Sequence, residues 1–578
     1  MKKPKLISKT AKYLKTPPNL KDYQHTYQNF SYSQYKNELD WFPDGKLNAA
    51  YNAIDRQAQG PRKNKVALYW HGPNDEQKKF TFQELSLLSN QFANVLKKLK
   101  VDRGDRVFFF LPRVPELYFG FLGALKIGAI AGTMFSAFGE QALEDRLNDS
   151  DAEVLVTDSE LLPRVKKILK KLPRLKHILV TDFDKNKDGC QSLPQLLSSA
   201  SQELKVTQTQ PDESAFMLYT SGTTGKPKGV IHQHYAILHE HLTAKWVLDI
   251  KDSDVYWCTA DPGWVTGIAY EILGSWSIGA SALVYAGRFS PEKWYQLIEQ
   301  YKVNVWYTAP TAIRMLAAAG LNVVKRYNLS SLRHLASVGE PLNPEAIYWG
   351  LKAFNLPFHD NWWQTETGGI MIANLPCLPI KPGSMGKPVP GITAGIVDDK
   401  GKPVPTGKEG NLAIKAGWPS MMQKIWRRPK KYKSYFIKGW YISGDKAFKD
   451  KDGYFWFLGR ADDVIKTAGE RVGPFEVESA LVSHPDIIEA GVIGKPDQMR
   501  GEIIKAFITL KSGVKPSESL KKDIVVYVKK HLAGHAYPRE IEFKDNLPKT
   551  RSGKIMRRML KAQELGLPIG DTSTLAEF

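Results

Sequence analysis

The densest chemistry-bearing run in the chain is LYTSGTTGKPKG, Leu218 to Gly229. Gly222 and Gly225 let backbone N–H groups approach an anion, Thr220, Ser221, Thr223 and Thr224 add hydroxyl donors, and Lys226 and Lys228 add positive charge. That combination is suited to cradling phosphates. It departs from the nucleotide-binding loop GxxxxGK[ST], because Gly222 lies only three positions before Gly225 and Pro227 stands where a hydroxyl would bind magnesium. An exposed polar turn is the plainer alternative.

A second run, HDNWWQTETGG from His359 to Gly369, sets two indoles beside amides, hydroxyls and carboxylates. A tryptophan can wall off a small apolar pocket, Thr365 can donate to a phosphate and Glu366 can hold magnesium, although adjacent tryptophans also serve as plain core. Asp445 could accept both hydroxyls of a ribose, and Arg460 could reach the same sugar or its phosphate; as isolated turn residues both would be structural. LPKTRSGKIMRR, Leu547 to Arg558, is either a functional basic segment or a solvated charge run. His232, His234, His239 and His241 crowd into ten positions, but with no neighbouring cysteine and no HExxH spacing they are expected to pack and hydrogen-bond beside the loop rather than bind metal.

These segments need elements to hold them. Short apolar strands are expected at Arg106 to Leu111, Ala152 to Thr157, His177 to Thr181, Ala215 to Leu218, Ser281 to Tyr285, Val303 to Tyr307 and Leu332 to Val338, with helical patterns such as Val114 to Ile127 between them. That alternation predicts layered parallel α/β structure, with functional loops beyond the carboxyl ends of the strands. From about Gly383 the texture becomes short strands punctuated by glycine and proline, predicting a small antiparallel or barrel-like β subdomain. Beyond Gly459 a helix at Pro474 to Val482, strands at Ile488 to Ile493 and Lys505 to Leu510, and a helix at Ser517 to His531 predict a compact α+β domain. The expected division is a large domain over 1–460 and a small mobile one over 461–578.

With 578 residues, several cores are required. Lys and Arg number 81 against 60 Asp and Glu, a net charge of +21 that favours anionic partners: nucleic acid, an acidic membrane or phosphorylated small molecules. No zinc-finger spacing or RNP-like aromatic motif supports nucleic acid, and the most apolar stretch, Leu117 to Phe138, is interrupted by Lys126, Gly128 and Gly132, so no membrane anchor is expected. Met1 to Thr16 carries six lysines without a following apolar region, and the three cysteines fit a reducing compartment, so a cytoplasmic location is expected.

In this order, from about Leu39 to Lys561, the segments resemble the adenylate-forming superfamily of acyl-CoA synthetases, peptide-synthetase adenylation domains and beetle luciferases. LDWFPDGKLNAAYNAIDR, TADPGWVTG, VGEP, NWWQTETGG and PKTRSGKIMRR look like its acetyl-CoA synthetase branch. The resemblance implies that acetate attacks ATP to give acetyl-AMP and pyrophosphate, and that CoA then takes the acetyl group and releases AMP. It further implies that the Thr220 to Lys228 loop holds the β- and γ-phosphates. Gly339, Glu340 and Pro341 would line the adenine site with Asp360, Asn361, Trp362 and Gln364 nearby, while Thr365 contacts the α-phosphate, Glu366 binds Mg2+, and Asp445 and Arg460 hold the ribose. Val265, Thr266, Val338 and Trp363 would form the acyl pocket. Lys554 would be the catalytic lysine of the first step, Asp462 the hinge, Gly469 a neighbour of the CoA tunnel, and Arg471 a phosphate-approaching residue. A lysine acetyltransferase and deacetylase acting on Lys554 are implied partners. Alternatives within the superfamily are a medium-chain or aryl ligase, or an adenylation domain feeding a carrier protein.

Overall fold

A computed structural model describes residues 6–8, 13–220, 227–467, 470–532, 536–550, 554–569 and 575. Two sheets dominate the large part of the molecule. One has eight strands in the order Lys424–Ile425, Lys228–Gln233, Ser214–Thr220, Ile130–Phe135, Arg106–Leu111, Val154–Thr157, His177–Val180, Gln191–Ser192. The other has seven, running Phe358–His359, His334–Ser337, Val305–Thr308, Val255–Cys258, Ser281–Tyr285, Val66–His71, Gln77–Thr81. The central pairings are parallel, as helix-bearing crossovers require.

Both faces of these strands are covered, and period-two alternation sorts their side chains into layers. Val107 and Phe109, with Tyr256, Cys258, Val305 and Tyr307, enter one inner core shared by both sheets; Phe108 and Phe110 enter one outer core, Trp257 and Trp306 the other. The inner layer includes the helices Pro115–Lys126 and Ala236–Trp246 and the wide-turn helix Gly267–Gly274.

The strands start later than apolar runs alone suggest. Those expected from Ala152, Val303 and Leu332 begin at Val154, Val305 and His334. In the first two cases the preceding helix ends on a left-handed residue, Asp151 (φ 51°) or Lys302 (φ 53°), and the chain extends only after that cap has turned it.

The glycine- and proline-rich stretch forms antiparallel sheets: a three-stranded one (Asn361–Trp362, Ile372–Ala373, Lys387–Pro388), and a five-stranded one in which Trp440–Lys449 pairs with Gly410–Lys415, Phe436–Ile437 and Phe455–Arg460. An antiparallel bridge between Gly386 and Phe455 joins these two sheets. A fifth sheet, with strands Ile465–Thr467, Glu470–Val472, Ile487–Asp497, Gly501–Leu510 and Glu540–Phe543, packs with helices Pro474–Val482 and Glu518–His531 around its own core. It meets the large domain where Gly473 passes the strand Phe455–Arg460, so closely that a Cβ there would lie 2.2 Å from the Leu458 carbonyl oxygen. Asn343 Nδ2 donates to Ser479 Oγ at 3.0 Å across the same seam, and Phe475 meets Phe457 edge-on.

Two buried polar groups matter for stability. Lys126 Nζ donates to Asp55 Oδ1 at 2.6 Å and to Asn90 Oδ1 at 2.7 Å in a site closed to solvent. The histidine cluster is also buried: His239 lies between the Ile370 carbonyl and Tyr32 Oη, His241 between Ser277 and Glu38, and His234 Nδ1 accepts from Ala49 N–H. His232 faces two carbonyls, of Thr365 and Ser420, and burial keeps it neutral, so its single N–H serves one at a time.

Lys126→Ala leaves the Asp55 carboxylate buried without its cation and should cost about 3 to 5 kcal/mol, read as a lowered first calorimetric transition; Lys126→Met with Asp55→Leu should recover most of it. Burial pushes His232, His234 and His239 down to about 4, so between that value and 6.5 the unfolded chain binds more protons and stability falls as pH falls. Thermal stability should fall as pH is lowered from about 7 to 4.5, and His234→Asn, which keeps an acceptor for Ala49 N–H, should remove roughly a third of the part due to these three histidines.

Candidate active site

Asp445 and Arg460 are direct register partners on the antiparallel strands Trp440–Lys449 and Phe455–Arg460. Their ion pair, at 3.0 Å, is therefore set by the sheet itself. The other Asp445 oxygen accepts from Trp362 Nε1 at 2.9 Å and Gln364 Nε2 at 3.1 Å, and its backbone N–H donates to Ser443 Oγ. Burial raises the Asp445 pKa; the guanidinium of Arg460, the indole N–H and the Lys554 ammonium oppose the rise. Gln364 is fixed at its other end by Tyr441 Oη, 2.7 Å away.

The Thr365–Thr367 turn follows directly, its first carbonyl within reach of His232. Among the described residues the Glu366 carboxylate takes a long hydrogen bond from Tyr435 Oη at 3.4 Å, and burial raises its pKa against the pull of Arg460 and Lys228. Lys228 opens the strand Lys228–Gln233; burial lowers its pKa first, and Lys431, Arg428 and Arg460 add repulsion. Several cations thus converge on one carboxylate, which leaves the region short of negative charge. Thr220 ends the strand before the loop, while Ser221, Gly222, Thr223, Thr224, Gly225 and Lys226 lie outside the described residues.

The Gly339-Glu340-Pro341 turn follows the strand His334–Ser337, and Gly339 adopts φ 95°, a left-handed conformation that suits glycine. Glu340 is engaged by Thr311 Oγ1 at 2.6 Å and Arg314 at 3.1 Å. Asp360 is fully enclosed; Oδ2 accepts from Leu342 N–H, Oδ1 has no partner among the described residues, and burial pushes the carboxyl up to about 8. Asn361 Nδ2 donates to the Ser337 carbonyl.

Val265, Val338 and Trp363 pack in the shared inner core, and Thr266 immediately precedes the Gly267–Gly274 helix. Trp363 is half-buried, with its Nε1 3.3 Å from Tyr307 Oη.

From the small domain, Lys554 sits in a narrow bridge in which Thr550 N–H donates to its carbonyl and its own N–H donates to Thr550 Oγ1. The residue keeps part of its surface exposed while standing in a cleft lined also by Glu340, Pro341, Asn343, Phe475 and Arg557. Desolvation by the surrounding protein, with Arg460 and Arg557, lowers the ammonium pKa, and Asp445 and Asp463 partly restore it. Asp462, in the turn after Phe455–Arg460, has its carboxylate 3.9 Å from Arg460. Arg471 belongs to the strand Glu470–Val472, and Gly469 lies outside the described residues.

Arg557 is a neighbour that motif reading passed over. It pairs bidentately with Glu478, at 2.7 and 2.5 Å, and faces Asp463 at 3.8 Å. The only sequence signal for it was its place in a basic run. Among the described residues no cluster of three or more His, Cys, Asp or Glu could hold a metal by itself, and no helix is long and apolar enough to cross a membrane.

The arrangement is a cleft lined by both domains, with Lys554 and Arg557 on one side and Glu340 and Pro341 on the other, and with Trp363 packed against the inner core nearby in the large domain. Residues 54–426 match the model of the AMP-binding enzyme family, and 476–554 that of the AMP-binding enzyme C-terminal domain. The chain is 56% identical over 562 residues to an acetyl-coenzyme A synthetase of Bacillus subtilis, covering 97% of this chain and 98% of that one. It is 46% identical to one of Methanothrix thermoacetophila, covering 93% and 86%. Among solved structures, an anthranilate CoA ligase in complex with anthranoyl-AMP superposes with a TM-score of 0.85 at 33% identity, covering 93% of this chain and 99% of that one. A Brucella canis acyl-CoA synthetase gives 0.75 at 34% identity, covering 95% and 99%. The chain belongs to the AMP-binding enzyme family.

Proposed function

We propose that the protein is an AMP-forming acetate–CoA ligase, activating acetate with ATP to acetyl-AMP and pyrophosphate and then passing the acetyl group to CoA. The observation that carries this reading is that Lys554, from the small domain, lines one cleft with Glu340 and Pro341 of the large one. The names and near-full coverage of the relatives support acetate as the acid.

A carboxylate and a triphosphate repel, so the first step needs cations where charge builds on the α-phosphate. Lys554 supplies one, with Thr365 donating to the same phosphate and Arg460 and Asp445 fixing the ribose. Each well-placed donor of this kind is worth about 3 to 4 kcal/mol of transition-state stabilisation in other enzymes. The phosphate loop from Thr220 to Lys228 takes the β- and γ-phosphates, and Gly339, Glu340 and Pro341 with Asp360, Asn361, Trp362 and Gln364 frame the adenine. The Glu366 carboxylate, a hard oxygen donor with little competing hydrogen bonding among the described residues, suits Mg2+, which prefers one or two carboxylates plus substrate phosphates. When bound there, the ion would neutralise phosphate charge.

For the second step the small domain, 461–578, turns about Asp462 against the large one, 1–460. That turn withdraws Lys554 and brings Gly469 to the thioester side, with Arg471 near phosphate. Acetylation of Lys554 by a lysine acetyltransferase, reversed by a deacetylase, would erase the first-step cation. Three free cysteines agree with a cytoplasmic setting.

The test is acetate- and CoA-dependent conversion of ATP to AMP. Lys554→Ala should lose acetyl-AMP formation on the order of 10²- to 10³-fold while still converting supplied acetyl-AMP to thioester; equal loss of both steps would contradict the assignment. Because the ammonium is the working form and its pKa lies below the ordinary lysine value of 10.5, adenylation should fall as pH rises through that lowered value. Lys554→Arg should move any residual alkaline limb upward. Trp363→Gly should turn preference from acetate toward acids of four or more carbons, read as kcat/KM across a chain-length panel.

A further inference from the structure

A tryptophan limits the size of an acid only if it cannot swing aside. Trp363 follows the short strand Asn361–Trp362, is half-buried, and has two rotatable side-chain bonds. What holds it lies away from the recess.

Its Nε1–H donates to Tyr307 Oη at 3.3 Å. Tyr307, on the strand Val305–Thr308, is fully buried, and its own hydroxyl donates to Asn361 Oδ1 at 2.9 Å. The direction of that bond is settled by the next one, since the Asn361 amide nitrogen is committed to the Ser337 carbonyl at 2.8 Å, leaving its oxygen to accept. The Tyr307 oxygen therefore keeps a lone pair for the indole. The relay ends on the strand His334–Ser337, two strands of the same sheet holding one side chain.

The ring also packs against Tyr270, perpendicular to it with centroids 5.1 Å apart at 89°, and Tyr270 is in turn perpendicular to Tyr307 at 6.1 Å and 90°. Tyr270 is pinned in turn. Its oxygen accepts from Ile370 N–H at 2.7 Å and lies 2.8 Å from Thr243 Oγ1. Thr243 donates to the His239 carbonyl at 2.7 Å, so it accepts the tyrosine proton.

We propose that Tyr307 and Tyr270 are specificity-positioning residues, fixing the Trp363 indole so that the recess keeps its acetate size; this rests on the reading of Trp363 as the acyl-pocket wall. Neither tyrosine needs to touch the acid. Tyr307 sets the indole by one directed hydrogen bond, and Tyr270 closes the direction in which the ring would retreat.

The experiment compares kcat/KM for acetate and propionate in the full-length enzyme, in Tyr307→Phe, in Trp363→Gly and in the double variant. Tyr307→Phe keeps the ring and removes both the indole's acceptor and the donor to Asn361 Oδ1, so the acetate-to-propionate ratio should fall ~5-fold, the worth of one ordinary buried hydrogen bond; as a ratio within one variant it reads the acyl recess apart from any change in KM for ATP that the freed Asn361 brings. In the Trp363→Gly background the same change should alter the ratio by less than about 2-fold, because the ring it positions is gone. Should Tyr307→Phe fail to fold, Tyr270→Leu, which removes the ring packed against the indole, carries the same comparison. A Trp363→Gly shift without one in Tyr307→Phe overturns the inference and leaves the pocket reading standing, as does full additivity in the double variant. An unchanged profile in Trp363→Gly itself removes the pocket reading, and the inference with it.

Discussion

The Asp445–Arg460 ion pair is the constraint on which the site depends. Cross-strand register fixes the two backbones, and the second carboxylate oxygen is taken up by Trp362 and Gln364, which belong to a different sheet and the turn beyond it. One buried carboxylate thereby locks the five-stranded sheet to the run that carries Thr365 and Glu366. A buried charge is tolerated only when its partners are supplied in full, and here they come from the segments that must be aligned. Arg460 also ends its strand, and the next strand, Ile465–Thr467, already belongs to the fifth sheet.

Much of this was legible in the sequence because apolar runs and motif order are local properties. Arg106 to Leu111 reads as a strand from its residues alone and is one. The alternation of strand and helix predicted parallel layers, and the texture change after Gly459 predicted the separate α+β fold. Strand starts were misplaced at Ala152 and Val303 because a left-handed helix cap is decided by the backbone, not by hydrophobicity. The antiparallel texture after Gly383 was legible too, but glycine and proline spacing reports turns rather than which strand edges meet, such as the Gly386–Phe455 bridge between the two antiparallel sheets.

The site divides along the same line. Residues inside recognisable motifs could be named in advance. Arg557 could not, because its function of tying the basic segment to Glu478 arises from a partner some eighty positions away in the chain. Tyr270 and Tyr307 were equally silent: each reads as ordinary core, and only the directions of their hydrogen bonds distinguish them from filler. The four clustered histidines show the reverse case. As a group they suggest metal chemistry, yet each is occupied by carbonyls, hydroxyls, an amide or a carboxylate from distant elements.

Gly473 has a mechanical consequence. With no room for a single methyl group between it and the Leu458 carbonyl, residue 473 decides how near the helix Pro474–Val482 can come to the strand Phe455–Arg460. That helix carries Phe475 and Glu478, which line the same cleft as Lys554, and Glu478 grips Arg557 three positions beyond it. Bulk added at residue 473 would therefore push one wall of the cleft, and the segment tied to it, away from the large domain.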